Sequence, residues 1–64
     1  MKNRIRELRT AHKMTQDELA VQCNVTRQTV NAIENNKYDP TLQLAFALAA
    51  ALHTTVDSLF QRGE

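Results

Sequence analysis

The sequence predicts an all-α protein that consists of one domain with five short helices. Apolar residues recur three and four positions apart, and no window shows the alternation of a β-strand. Thr15 and Thr26 precede apolar runs at positions typical of helix N-caps. Glycine occurs only at Gly63 and proline only at Pro40, which argues against disorder. We therefore expect residues 1–64 to form a single compact domain.

The first helix and the start of the second have clear boundaries. The first is predicted over residues 2–13, with Ile5 and Leu8 on its apolar side and arginines on the outside. Thr15 and Glu18 then have the spacing of a capping box. In that motif the threonine hydroxyl accepts from the glutamate backbone N–H, and the glutamate carboxylate accepts from the threonine N–H. The box opens the second helix.

The second and third helices, residues 16–23 and 26–35, are predicted to be joined by a tight turn. Asn24 is the turn residue, since asparagine tolerates the left-handed conformation better than most residues that have a Cβ. Thr26 is the N-cap of the third helix, whose buried side carries apolar residues three positions apart.

The third helix carries a polar face that contains no carboxylate. A step of about 100° per residue places Arg27, Gln28, Asn31 and Asn35 within one quadrant. Arginine can bond guanine with two hydrogen bonds, and glutamine or asparagine can do the same with adenine. Gln16 begins the second helix, where backbone N–H groups attract a phosphate. The pattern predicts DNA readout; the alternative is a solvated face, which would normally include lysine and glutamate.

The fourth helix, residues 42–52, is apolar on nearly all sides, because Gln43 is its single polar residue. The residues predicted to face the core are Leu42, Ala45, Leu48, Ala49 and Leu52. Leu44 and Phe46 remain outside, and exposed apolar groups of this size often mark an interface. With Phe60 of the last helix they predict a homodimer contact. The alternative is a helix whose exposed alanines cost little.

The last helix is predicted over residues 56–60, with Thr55 as its cap. The four turns between helices contain no glycine, so other residues must adopt the left-handed conformation there. The predicted turn residues are Lys13, Asn24, Asn36 and His53. Each is expected to carry a modest backbone strain that glycine would avoid.

Charge and cysteine content limit the class of protein. Five basic residues against one acidic residue give residues 1–13 a net charge of +4, although the whole chain carries only +1. A basic N-terminal third can lie on phosphates; the alternative is a solvated helix. Cys23 cannot form an internal disulfide and is expected in the core, which suits a reducing cytosol. With no signal peptide or membrane segment, we expect a soluble, cytoplasmic protein.

No group of residues predicts catalysis, a cofactor or a metal site. His12 and His53 lie far apart in the sequence and are expected in turns or on the surface. No nucleophile, base and orienting group come together in the predicted fold. A single glycine cannot build a phosphate-cradling loop. We therefore expect that the protein is not an enzyme.

Residues 15–52 resemble the Cro/lambda-repressor-like (XRE) helix-turn-helix family of transcriptional regulators. The most specific motifs are T-Q-x-E-L-A, residues 15–20, and T-R-Q-T-V-N-A-I-E-N, residues 26–35. The resemblance extends to RIRELR at the front and TTVDSLF at the back. It implies a compact bundle of five helices, with the helix-turn-helix at helices two and three and the third helix in the major groove. The chain departs from the common pattern at turns where the family often has glycine.

The resemblance also implies roles for individual residues. The positions that match base-reading or groove-facing residues are Thr26, Arg27, Gln28 and Asn31. Gln16 matches a phosphate contact, and the positions that match a loop along the DNA backbone are Asn36, Lys37 and Tyr38. Arg9 and Glu34 match a structural pair that links the first helix to the end of the third.

These features predict a sequence-specific repressor that binds double-stranded DNA. Two copies would place their recognition helices about 34 Å apart on a pseudo-palindromic operator. Two alternatives remain at this point. One is the antitoxin of a toxin–antitoxin pair, which would have a toxin as its partner. The other is a protein-interaction module without DNA binding.

Overall fold

The computed structural model describes residues 1–61, and within them it contains five α-helices and one short β-ribbon. The helices are Ile5–Ala11 (α1), Gln16–Cys23 (α2), Arg27–Glu34 (α3), Leu42–Ala51 (α4) and Val56–Leu59 (α5). The strands Lys2–Asn3 (β1) and Phe60–Gln61 (β2) pair antiparallel. All five predicted helices are present, and the all-α prediction is confirmed. Gly63, with the rest of residues 62–64 of the predicted domain, lies outside the described residues.

The β-ribbon was not expected, and it displaces the predicted start of the first helix from Lys2 to Ile5. The Asn3 side chain fixes that start, because its Oδ1 accepts from the Ile5 backbone N–H at 3.0 Å. Its Nδ2 donates to the carbonyl of Ile33 at 2.8 Å, which ties the strand to the end of α3. Strands of two residues are too short to show an alternating pattern in the sequence.

Threonine side chains cap the start of four helices. The capping threonines are Thr15, Thr26, Thr41 and Thr55, and each hydroxyl accepts from the backbone N–H three residues later. The predicted capping box is confirmed: Glu18 N donates to Thr15 Oγ1 at 3.1 Å, and Thr15 N donates to Glu18 Oε1 at 2.8 Å. Each cap stabilises its helix by about 1 kcal/mol.

The four predicted left-handed turn residues are confirmed. Their φ angles are 55° at Lys13, 59° at Asn24, 61° at Asn36 and 56° at His53. Each ends a helix in the same way, since the N–H of the following residue bonds a carbonyl five positions back. At Asn24, for example, Val25 N donates to Ala20 O at 3.0 Å. The motif satisfies carbonyls that the helix end would otherwise leave without a donor.

The core draws on all five helices. Its largest fully buried side chains are Ile5, Leu19, Val30, Ile33, Leu48, Leu52 and Leu59. The prediction for Leu42 was wrong, because this side chain is 70% exposed. Leu42 is the first residue of α4, three positions before the first buried residue Ala45, so this helix end extends past the core. Leu44, predicted outside, is half-buried and packs against the core.

Candidate nucleic-acid interface

The exposed face of α3 and the start of α2 together form one polar cleft. Gln16, Arg27, Gln28 and Asn31 line it, and its volume is about 360 Å³. Val30, on the opposite side of α3, is completely buried, which fixes the polar face outward. The structure therefore brings together four of the residues that the sequence singled out.

A carboxylate lies beside this cleft, although the α3 sequence contains none on that face. Arg27 Nε is 4.0 Å from Oδ1 of Asp17, which belongs to α2. Both side chains are well exposed, so the attraction is weak and easily exchanged for another anion. The periodicity of α3 could not show this neighbour, because the two helices meet only in the folded chain.

Gln16 is attached to a buried carboxylate beneath the cleft. Its Nε2 donates to Glu34 Oε1 at 3.3 Å, and the Glu34 side chain is fully buried. An amide nitrogen carries two N–H groups, so one remains for a ligand after this bond. Glu34 thus orients a residue that the family resemblance places at a phosphate.

Arginines of α1 surround the same carboxylate. Arg9 donates to Glu34 through Nε at 2.7 Å and Nη2 at 3.3 Å, and its Nη1 donates to the carbonyl of Met14 at 2.8 Å. Arg6 Nε adds a bond at 3.2 Å. The structure thus contains the Arg9–Glu34 pair that the resemblance implied. Sequence reasoning missed the Arg6 and Gln16 contacts, because no pattern marks them.

The environment of Glu34 keeps it ionised. Burial acts to raise the pKa of Glu34, but the hydrogen bonds from Arg9 and Gln16 and the nearby arginine charges outweigh burial. The pKa therefore lies below its ordinary value of 4.5. No buried side-chain nitrogen or oxygen in the described part of the chain lacks a partner.

Two polar residues of the predicted face are occupied within the protein. The Thr26 hydroxyl accepts from Thr29 N at 3.2 Å and lies 3.0 Å from Thr29 Oγ1, as a helix cap. Asn35 donates through Nδ2 to the carbonyl of Asn31 at 2.8 Å and accepts from Arg6 Nη2 at 3.1 Å. Within residues 1–61, the side chains of Arg27, Gln28 and Asn31 make no hydrogen bond inside the protein, so they are available to a ligand.

The loop after α3 is exposed. Asn36 Oδ1 accepts from Asn3 Nδ2 at 3.3 Å, which leaves the rest of its amide available. Lys37 is exposed with its side chain in solvent. Tyr38 is half-exposed and borders a second cleft, of about 470 Å³, that Cys23 also lines. These three loop residues remain predicted contacts to the DNA backbone.

An exposed apolar face lies on α4. Leu42 and Phe46, four positions apart on the same side of the helix, are 70% and 59% exposed. Of the other predicted dimer residues, Leu44 and Phe60 are half-buried against the core. The predicted exposure of Phe46 is confirmed, but the sequence did not identify Leu42 as its exposed neighbour.

Cys23 is a core residue, and the described residues contain no metal site with three protein ligands. Cys23 is buried, as predicted, and burial raises the pKa of its thiol. Among residues 1–61, no three His, Cys, Asp or Glu side chains cluster as a metal site would require. No helix in that range has the length and apolar character needed to cross a bilayer.

Comparisons with known proteins identify the architecture. The model of a helix-turn-helix family (HTH_3) matches residues 5–59. An HTH-type transcriptional regulator of Methanocaldococcus jannaschii is 43% identical over 60 residues, which cover 94% of this chain and 91% of that protein. The immunity repressor protein of Bacillus phage phi105 is 36% identical over 56 residues, or 88% of this chain and 39% of that protein.

A solved structure agrees with these relatives. The restriction-modification controller protein C.AhdI from Aeromonas hydrophila is 35% identical and has a TM-score of 0.83. The similarity covers 89% of this chain and 86% of that chain. The lambda-repressor-like fold and the resemblance to the XRE family are thereby confirmed. The family and these relatives are DNA-binding regulators of transcription and not enzymes.

Proposed function

The chain belongs to the XRE-type helix-turn-helix family of DNA-binding transcriptional regulators, and from this premise we propose that it is a sequence-specific repressor. In this proposal it binds a pseudo-palindromic operator as a homodimer, with residues 26–35 as the recognition helix. The observation that carries the proposal is the polar cleft between α2 and α3, where Gln16 lies beside three outward side chains of α3.

Base reading is assigned to Arg27, Gln28 and Asn31. All three are exposed in the first turns of α3, the part of a recognition helix that reaches base edges. Their side chains can each form two hydrogen bonds with one base in the major groove. Thr26 caps the same end of the helix, and we assign it to the edge of the DNA groove.

Phosphate contacts are assigned to Gln16 and to the loop residues Asn36, Lys37 and Tyr38. The Gln16 amide sits at the N-terminus of α2 and keeps one N–H free after its bond to Glu34. Lys37 supplies a positive charge in the exposed loop. Contacts of this kind make affinity fall steeply with salt but carry no base preference.

The dimer contact is assigned to the exposed apolar face of α4. Phe46 and Leu42 provide its exposed part, while Leu44 and Phe60, also predicted for this contact, are half-buried against the core. Pairing two copies through this face would remove large apolar groups from water, the main favourable term in association. Repression, through occupation of a promoter, is supported by the similarity to the phage phi105 immunity repressor.

Selection of bound sequences from a random DNA pool, at stated salt, tests the proposal. We expect enrichment of a two-fold motif whose half-sites lie about 10 base pairs apart, centre to centre. The matched control is the double variant Gln28→Ala/Asn31→Ala, which keeps the buried side of α3 and should lose enrichment. No enrichment by the wild-type protein would contradict base readout, and a motif without two-fold symmetry would contradict the homodimer.

A further inference from the structure

Two histidine rings that are 41 positions apart in the sequence meet at the surface of the fold. His12 ends α1 as its C-cap, and His53 is the left-handed residue that follows α4. Their ring centroids are 5.3 Å apart, with an angle of 59° between the ring planes. Both residues are exposed, and neither imidazole has a hydrogen bond or an ion pair within residues 1–61. The sequence alone assigned them only to turns or the surface.

We propose that His12 and His53 form a two-imidazole binding site for a divalent transition-metal ion of the zinc or nickel type. Imidazole nitrogen binds such ions at about 2.0–2.1 Å, which puts each ring centroid about 3.2 Å from the metal. In tetrahedral geometry, two rings on one ion then have centroids about 5 Å apart. The observed centroid separation of 5.3 Å matches this distance.

The pair offers a cation two imidazole ligands and open coordination positions. His12 stands at the C-terminus of α1 and His53 just beyond that of α4, where the helix dipole contributes partial negative charge that offsets part of the positive charge of residues 1–13. No third His, Cys, Asp or Glu joins the pair in the described part of the chain. Water therefore completes the coordination sphere, and the affinity is that of two ligands.

A bound ion would join two distant parts of the chain. In the unfolded chain the two histidines could hold one ion only by closing a long loop, which costs entropy, so the ion binds the folded state preferentially and stabilises it. Neither histidine lines the cleft at α3. The site therefore acts on stability and leaves the proposed DNA-reading residues untouched.

Titration with NiCl2 in a non-chelating buffer at pH 7.5 tests this site. We expect one Ni²⁺ per chain by calorimetry, and a Tm that rises by roughly 10–20 °C at a concentration of about 100 times Kd. His12→Gln and His53→Asn should each weaken binding about tenfold or more, because either change leaves a single ligand. The double variant keeps neither imidazole and should bind no measurable Ni²⁺ at this site. Asparagine at position 53 keeps the left-handed backbone.

Two controls make the result decisive. Lys13→Asn changes the left-handed residue next to His12 but keeps both imidazoles, so it should bind Ni²⁺ as the wild-type protein does. Melts without metal show that each variant is folded. Equal Ni²⁺ affinity of the wild-type protein and both histidine variants would overturn the proposal. One ion per two chains would also overturn it, because that stoichiometry requires ligands from two molecules.

Discussion

At the scale of single residues, Glu34 connects folding to the proposed DNA contact. Its buried carboxylate accepts from Arg9 and Arg6 of α1 and from Gln16 of α2, so three helices meet at one group. A buried carboxylate is costly unless it is paired and hydrogen-bonded, and here it is both. The same contacts hold the Gln16 side chain at the edge of the cleft. One residue therefore positions another at the place where a phosphate would bind.

The charge of Glu34 should make stability depend on acidity. Its folded-state pKa is lowered, so its stabilising contribution is present above its ordinary pKa of 4.5 and is lost as pH falls through the folded-state value. Glu34→Gln leaves Arg9 without its partner and should cost about 3 kcal/mol at pH 7. Urea unfolding at pH 7 and pH 3 measures both effects, and the difference between wild type and variant should shrink at pH 3.

Glu7→Gln is the matched control. Glu7 pairs with Arg4 on the exposed surface, so this variant should have nearly the same free energy of unfolding as the wild-type protein. A Glu34→Gln variant as stable as the wild-type protein at pH 7 would contradict the role assigned to the carboxylate.

We expect Asp17 to limit the affinity for DNA, because its exposed carboxylate lies 4.0 Å from Nε of Arg27. Asp17→Asn removes a negative charge near the phosphates and releases Arg27. We expect binding to operator and random DNA to tighten by about two- to fivefold, the size of a weak exposed pair. Fluorescence anisotropy at two salt concentrations measures it. Asp57→Asn, on α5, is the control with equal change of charge; an effect as large as that of Asp17→Asn would contradict the local explanation.

At the scale of elements, local signals determined what the sequence could predict. The threonine caps and the left-handed residues are set by neighbours within five positions, and these predictions were confirmed. The β-ribbon and the exposure of Leu42 depend on contacts between distant segments, which no local pattern marks. The same division holds in the site: the residues of α3 could be predicted from helical spacing, but the neighbours Asp17 and Arg6 could not.

The turn between α2 and α3 should be more stable with glycine than with alanine at its left-handed residue. Asn24 has φ 59°, and its side chain makes no hydrogen bond in the described residues. Asn24→Gly should leave the free energy of unfolding unchanged or raise it. Asn24→Ala should lower it by about 1 kcal/mol, because alanine adopts the left-handed conformation less readily than asparagine does. Thermal melts compare the two variants. A loss above about 1 kcal/mol for glycine would contradict the strain at this turn.

At the scale of the whole molecule, the two surfaces proposed for DNA binding and for dimerisation lie on different helices. Polar residues of α3 and the following loop form one, and the apolar face of α4 forms the other. The sequence predicted both surfaces from composition, but only the fold shows that Leu42 accompanies Phe46. A dimer through the second surface would present two copies of the first to one DNA duplex, which the operator symmetry requires.

A charge on the apolar face should separate the dimer. Phe46→Glu puts a carboxylate where two apolar surfaces would meet, so the variant should be monomeric at micromolar concentration and bind the operator more weakly. Val21→Glu is the matched control, because Val21 is 79% exposed on α2, outside that face. Sedimentation analysis measures the masses. A wild-type protein that stays monomeric well above micromolar concentration would contradict the dimer contact.

The most direct test of base reading by α3 is to measure the affinity of Gln28→Ala for the selected operator, for each single-base variant of one half-site, and for random DNA. Our account predicts that discrimination at one base position falls by about 1–3 kcal/mol, while binding to random DNA is nearly unchanged. Lys37→Ala, the control, should weaken binding about equally on all sequences and lower the salt dependence. Equal losses for Gln28→Ala on operator and random DNA would contradict the assignment.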